Sequence, residues 1–238
     1  MKIALIGYGK MGKEIEQIAL SRGHEVVLKI SLDNIEDCNS ENLKKADVAI
    51  EFTAPHAALQ NMYRCFEAAV PVVVGTTGWY KHLEEVKKEC KKYNATLLYA
   101  SNFSIGVNLF FALNKKLAQL MAPYRQYDVT IEEIHHTQKL DAPSGTAITL
   151  ANDIIAFHPT KKQWSLEKND KENLYIKAKR IDPCPGTHSI KYSSDIDDIE
   201  IIHTAHNRKG FATGAVLAAE WLVGKNGIFT MNDVLNIA

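Results

Sequence analysis

Residues 2–12 read Lys2-Ile3-Ala4-Leu5-Ile6-Gly7-Tyr8-Gly9-Lys10-Met11-Gly12. A short apolar run passes directly into G-x-G-x-x-G. The following Met11–Arg22 stretch places Ile15, Ile18 and Ala19 at helical spacing. Strand, glycine turn and helix in this order open a β-α-β unit. Gly7 permits the tight turn, Gly9 lets the backbone come close to a pyrophosphate, and Gly12 lets helix and strand pack closely. The helix N-terminus supplies N–H donors and positive potential. Six residues alone are a weak signal; the strand-turn-helix context makes it strong.

Outward from this loop the same grammar repeats. EVVLKI (25–30), DVAIEF (47–52), VPVVVG (70–75) and TLLYA (96–100) are further apolar runs, with helix-period segments at 57–69 and 79–93. Continuous apolar strands joined by helical connections imply a parallel sheet covered on both faces. Near Phe103 the pattern changes. A long helix is expected over 105–122, an alternating strand over 127–136 and a helix over 144–157. A polar, irregular stretch follows from 159 to 173, and three strand-like segments (175–181, 188–193, 198–206) then follow without helices between them. That favours antiparallel or mixed pairing. The fold class is therefore α/β, a doubly wound parallel sheet plus a second α+β domain with a mixed sheet. Residues 1–103 form the first domain, and residues 104–210 the second. The apolar C-terminal helix segment 211–238 is expected to pack back onto the first domain.

The composition is that of an ordinary globular chain: 238 residues, 46% hydrophobic, 24% charged. Lys plus Arg (28) balances Asp plus Glu (28), so no global field favours nucleic acid or an anionic membrane. An anionic ligand must be held by a local cation cluster. Cys38, Cys65, Cys90 and Cys184 lie far apart without C-x-x-C, which reads as reduced, packed thiols in a reducing compartment. MKIALIG lacks a secretory signal pattern, so a cytoplasmic location is expected. The uncharged stretch 93–114 is interrupted by Asn94, Asn102, Asn108 and Asn114 and reads as buried protein rather than a membrane span.

Ligands of open parallel sheets lie outside the carboxyl ends of the strands. Phe52-Thr53, Gly75-Thr76-Thr77-Gly78 and Ala100-Ser101-Asn102-Phe103 are therefore expected near the glycine loop. An acidic residue normally ends the second strand to bind the ribose 2′-hydroxyl. Here Ser31 stands there and Asp33 is the nearest carboxylate, read either as the ribose ligand or as a turn residue, while Lys10 and Lys29 offer charge for a 2′-phosphate. Either NADH or NADPH is allowed.

The densest chemistry is His135-His136-Thr137-Gln138-Lys139-Leu140-Asp141-Ala142-Pro143-Ser144-Gly145-Thr146, between a strand end and a helix start. Ser144, Gly145 and Thr146 offer hydroxyls and unhindered N–H groups at a helix N-terminus, and Lys139 adds a full positive charge. The site suits carboxylate. Adjacent histidines on a strand point to opposite faces and so take different roles, one in proton transfer and one in ligand binding. Zinc held by His135, His136, His203 and His206 is disfavoured, because Lys139 would repel it and no Cys or carboxylate has ligand spacing; no metal is expected. Arg208 and Lys209, beside Asn207 and Gly210, read as a solvated turn ahead of a hinge or substrate clamp.

EIHHTQKLDAPSGTA, with GYGKMG, FT at 52, GTTG at 75, ASNFSIGVN from 100 and H-x-x-x-x-F-A-x-G-A from His206, resembles the dihydrodipicolinate reductase family over essentially the whole chain. The resemblance implies a Rossmann-like domain and a mixed-sheet domain that builds a homotetramer. It implies NAD(P)H-dependent reduction of a small cyclic dicarboxylate, 4-hydroxy-tetrahydrodipicolinate, in diaminopimelate and lysine synthesis. It makes His135 the general acid/base and Lys139 the proton donor, while the residues themselves leave either one, or both together, to deliver the proton. His136, Gly145 and Thr146 would bind substrate carboxylate, with Ser144 in the same shell. Cofactor contacts would fall on Gly7, Tyr8, Gly9, Lys10, Met11 and Gly12, on Gly75, Thr76 and Thr77, and on Ala100, Ser101, Asn102 and Phe103. The shortened glycine loop and the missing acid at the end of the second strand are departures from the family pattern. A different two-domain dehydrogenase, or a dinucleotide sensor without turnover, is the competing reading. A sensor has no need of Lys139, paired histidines and a separate anion site.

Overall fold

A computed structural model of the chain describes residues 1–207 and 209–237; Arg208, weighed above as a hinge or clamp, lies outside them. In chain order the elements are β1 (Lys2–Ile6), α1 (Lys10–Ser21), β2 (Glu25–Ile30), α2 (Ser40–Leu43), β3 (Val48–Glu51), α3 (Pro55–Glu67), β4 (Val72–Val74), α4 (Leu83–Lys92) and β5 (Thr96–Tyr99). They continue as α5 (Ile105–Met121), β6 (Asp128–His135), α6 (Gly145–Phe157), β7 (Gln163–Ser165), β8 (Asn173–Arg180), β9 (Gly186–Ser193), β10 (Asp198–Ala205), α7 (Lys209–Leu222), β11 (Gly227–Phe229) and α8 (Met231–Leu235). Two compact units result: Met1–Ile105 with Lys209–Ala238, and Gly106–Arg208.

The first unit is a parallel six-stranded sheet in the order β11-β5-β4-β3-β1-β2. Strand alternation sends Ala4 and Ile6 into one core with Phe66, Trp79 and Leu97, and Ile3 and Leu5 into another. α7 covers the second face through Ala212, Ala215, Val216, Ala219 and Leu222. It lies so close that a Cβ on Gly214 would sit 1.7 Å from the Phe103 carbonyl oxygen. Glu220 of α7 accepts two hydrogen bonds from Arg22, both 2.8 Å, and lies 2.7 Å from His24 Nε2.

The second unit is a mixed sheet, β10-β9-β6-β8-β7, in which β9 runs antiparallel to both β10 and β6 while β8 is parallel to β6 and β7. Val129, Ile131, Ile176, Ile190 and Tyr192 face Leu150 and Ile154 of α6 and Phe110 and Met121 of α5.

Two segments depart from the sequence expectation. The tail is more than a short end, because Gly227–Phe229 pairs with β5 as the sixth parallel strand. The polar stretch after Pro159 holds β7 and a buried lysine. Lys161 is 5% exposed, donating to Asn169 Oδ1 and the carbonyls of Asp170 and Asn173 and pairing with Asp128 at 3.0 Å. Its polar composition hid a pinned loop. The four cysteines are free thiols, three of them buried. Among the described residues no helix is long and apolar enough to cross a membrane.

Candidate active site

In the first unit the glycine loop has the shape its sequence demands. Gly7 takes φ +101°, and a Cβ there would fall 1.9 Å from the Phe52 carbonyl oxygen and 2.9 Å from Thr53 Cγ2. A Cβ on Gly12 would meet the Gly7 oxygen at 2.2 Å, whereas one on Gly9 would meet nothing within 4 Å. Gly7 and Gly12 are thus fixed by the protein, and Gly9 is bare toward the outside. The Gly7 and Tyr8 N–H groups both donate to the Ile30 oxygen at 2.9 Å. Gly9 caps α1 without a side-chain bond, so the first-turn N–H groups after it remain for an anion. These residues fit a dinucleotide pyrophosphate.

The other strand-end clusters meet this loop. Phe52 and Phe103 stack with ring centroids 5.7 Å apart, and a Cβ on Gly75 would strike the Phe52 ring at 2.1 Å. Thr53 N–H donates to Thr76 Oγ1 at 2.7 Å, and Trp79 Nε1 donates to the Thr76 oxygen at 2.8 Å. Thr77 and Ser101 are exposed, while Ala100 and Asn102 are half-buried. Beneath the pair of threonines lies Glu51, 0% exposed, which accepts from the Thr53 hydroxyl and from Asn61 at 3.3 Å. Burial pushes its carboxyl up. Sequence reading absorbed Glu51 into an apolar strand. An acid inside such a run was the signal for a polar post under the loops.

At the end of β2, Ser31 serves as a cap. Its Oγ accepts from Asp33 N–H at 3.2 Å, and its own N–H donates to Asn34 Oδ1 at 2.8 Å. Asp33 and Lys10 are exposed. Lys29 is already engaged, 2.5 Å from Glu16 and 5.1 Å from the Tyr8 ring centroid, with the Tyr8 hydroxyl donating to the same Glu16. It is therefore not the open cation that the sequence suggested.

In the second unit, β6 buries Val129, Ile131, Glu133 and His135 on alternate positions. The strand period thus carries His135 (7% exposed) inward beside Glu133 (0%). Register sets His188 of β9 opposite Glu133 and Arg180 of β8 beside His135. The His135 and His188 rings meet edge-on at 5.0 Å, and each has a ring nitrogen 3.7 Å from Glu133 Oε2. Ser144 N–H donates to Glu133 at 3.0 and 3.2 Å, and Arg180 Nη2 lies 3.2 Å from Glu133 Oε1. Burial alone would raise the Glu133 carboxyl, but His188 and Ser144 outweigh it and hold it down at about 2. Burial, then the His188 ring, pushes His135 down to about 4 against the opposing pull of Glu133. At neutral pH the pair is therefore a carboxylate and a neutral imidazole.

Ser144 N-caps α6. Its Oγ accepts from Ala147 N–H at 3.1 Å and lies 3.1 Å from His188 Nε2. With its N–H on Glu133 as well, Ser144 is spent on the protein. The N–H groups of Gly145 and Thr146 have no protein acceptor among the described residues, and a Cβ on Gly145 would meet nothing within 4 Å. Pro143 sits in the turn ahead of the cap. Lys139 is half-buried and held by Asp141 at 2.7 and 2.8 Å. Lys139 and Asp141 each lend a backbone oxygen to Arg180, at 3.2 and 2.5 Å. His136 follows the last residue of β6 and is half-buried. Asp182, bonded by Thr137 and also acted on by His136, is held below its ordinary range.

His203 lies half-buried on β10 opposite His188, with its ring 5.8 Å from Phe110, and His206 is exposed; neither belongs to the group of ligand-type atoms around His135. Glu133, His135 and His188 do bring ligand-type atoms within 4.8 Å of one another. The Glu133 carboxylate there is already engaged by a guanidinium and a backbone N–H. Glu133, His188 and Arg180 were missed in the sequence. The alternation that buries Val129 and Ile131 was the signal for Glu133, but no local signal marked the other two.

The chain matches the family model described as dihydrodipicolinate reductase, N-terminus, over residues 1–103, and the C-terminus model over residues 106–235. It is 52% identical to the 4-hydroxy-tetrahydrodipicolinate reductase of Christiangramia forsetii over 99% of this chain and 98% of that one. It is 35% identical to the Methanosarcina mazei protein of the same name, covering 99% and 89%. Its fold superposes on dipicolinate-bound dihydrodipicolinate reductase from Paenisporosarcina sp. TG-14 with TM-score 0.78 and 26% identity, over 97% of each chain. An amine dehydrogenase from Mycobacterium smegmatis (TM-score 0.62, 13% identity, 96% and 94% covered) shares the fold alone.

Proposed function

This chain belongs to the dihydrodipicolinate reductase family, and from that premise we propose that it reduces 4-hydroxy-tetrahydrodipicolinate to tetrahydrodipicolinate for diaminopimelate and lysine synthesis. It is an oxidoreductase that uses a nicotinamide dinucleotide. A bound dinucleotide would supply the hydride, and the reduction is complete when the substrate's 4-hydroxyl has left as water and one proton has been added with that hydride.

The remaining work falls to the protein. Gly9 and the first turn of α1 hold the pyrophosphate. Phe52, Thr53, Gly75, Thr76, Thr77 and residues 100–103 line the rest of the cofactor path. Gly145 and Thr146 N–H groups, with His136, hold substrate carboxylate, and Ser144 positions that helix mouth from within. Negative charge developing on the ring is met by the Lys139 ammonium, the kind of fixed cation that contributes most to such steps. Because His135 is neutral in the working range, the Lys139 ammonium is the proton donor, and it regains a proton from solvent with His135 as the general acid/base that relays it. The observation that carries this reading is the Lys139 ammonium on the loop that ends at two uncommitted N–H groups of α6.

Both NADH and NADPH serve, since a neutral serine rather than an acid caps the end of β2. A cytoplasmic homotetramer remains what the family implies; exposed Leu109, Leu113 and Leu120 on α5 and Ile199 and Ile202 on β10 offer apolar surface for association between copies. The test follows nicotinamide absorbance with freshly made substrate and each cofactor, alongside sedimentation of the full chain. Substrate-dependent oxidation of either cofactor is expected. Its absence with both would refute the activity.

A further inference from the structure

The reaction outlined above uses the Lys139 loop and the mouth of α6, but not the carboxylate bonded toward both. We propose that Glu133 is the positioning residue of the substrate site. Its buried carboxylate ties the mouth of α6 to the loop bearing Lys139, setting the spacing between the anion-binding N–H groups and the proton donor. This inference rests on the proposed function and deepens it.

Three observations carry it. Glu133 is 0% exposed, so its charge must be fully matched by fixed partners. On one side those partners are the Ser144 N–H, at 3.0 and 3.2 Å, immediately before Gly145 and Thr146. On the other side is Arg180, 3.2 Å away, which also grips the backbone oxygens of Lys139 and Asp141. One carboxylate thus joins two segments that residues 139–145 would otherwise connect only along the chain. An exposed acid beside a dicarboxylate site would repel its ligand. Here the charge is spent on a guanidinium and an N–H, so Glu133 holds the donors without competing with the ligand. The groups facing His135 are Glu133 on β6, His188 on β9, Arg180 on β8 and Lys139 on its loop. Glu133 is the one negative charge among them.

The test uses the full chain loaded with dinucleotide, and pyridine-2,6-dicarboxylate as the probe in calorimetry. Glu133→Gln is expected to weaken probe binding and raise the substrate KM by about 10- to 100-fold, as for loss of a charge-assisted network. Dinucleotide affinity should stay within twofold, and the His135 imidazole, followed by NMR, should titrate at lower pH than in the wild type. A merely structural loss would lower both ligands together. Arg180→Gln, at a half-exposed position, is the second variant and should reproduce the split with Glu133 intact, whether or not Glu133→Gln folds. If Arg180→Gln binds the probe within twofold of the wild type, the tie is overturned; so too if a folded Glu133→Gln does. If the wild type neither binds the probe nor turns over substrate, the functional reading itself has failed.

Discussion

The glycine loop of the first unit and the His135–Thr146 segment of the second are both helix mouths proposed to hold anions, and they are built in opposite ways. The first works by leaving atoms out. Gly7 and Gly12 are required because a Cβ at either would collide with backbone oxygen, whereas a Cβ at Gly9 would meet no protein atom, so only a ligand approaching the backbone gives glycine a reason there. The second works by committing atoms. Glu133, His188, Arg180 and Ser144, from three strands and a cap, lock one another, which leaves the Gly145 and Thr146 N–H groups without a protein acceptor among the described residues, beside a Lys139 held by Asp141. Geometry set by absence is local in sequence, whereas geometry set by a network is not.

Five substitutions break or sharpen this contrast. The largest effect is expected at Lys139. Lys139→Ala should lower kcat/KM by about 10³-fold or more, through both KM and kcat, with dinucleotide binding unchanged by fluorescence titration. Equal loss of dinucleotide affinity would show that the two mouths are not separable. Next are the two glycines. Gly7→Ala should destabilise the fold by about 2–4 kcal/mol in thermal melts, since φ +101° and a 1.9 Å contact both oppose a methyl group. Gly9→Ala should leave the melt unchanged and weaken dinucleotide binding only.

His135→Gln should cut kcat by about 10²-fold with little change in substrate KM. It should also alter acid stability. The folded imidazole at about 4 lies below the free value of 6.5, so the unfolded chain takes up the proton first. Stability is then full above about pH 6.5 and falls as pH drops toward about 4. Glu133, held at about 2, acts in a lower window, from its ordinary 4.5 downward. His158 and His203 are pushed down by burial and add to the slope in the histidine window, so His135→Gln should flatten it in part, as read by denaturant melts. The smallest effect is Gly145→Ala. Its Cβ meets no protein atom, so the melt should not move and the substrate KM should rise only a few-fold.

The sequence made the parallel sheet legible because buried strands such as Lys2–Ile6 and Val72–Val74 are continuous apolar runs and each is punctuated by a turn. It made Lys139 and the α6 mouth legible because they are neighbours in the chain. It concealed β11, three residues whose pairing with β5 depends on tertiary placement, and β7, set in a polar stretch organised by Lys161. It concealed Arg180 and His188 for the same reason. Each is an unremarkable strand residue until register sets Arg180 beside His135 and His188 opposite Glu133. Asp141 was in view, but its hold on Lys139 was not.

The route of the chain has a consequence for biogenesis. α7 and β11 follow the second unit in sequence yet complete the first, burying Ile3, Leu5, Val48 and Ile50 and closing the sheet beside β5. During translation the mixed-sheet unit emerges whole while the earlier strands still lack a covering layer. A chain cut after Ala205 would present the first sheet with one face clad only by α1, through Ile15 and Ala19, an apolar surface prone to association until the last helix is in place.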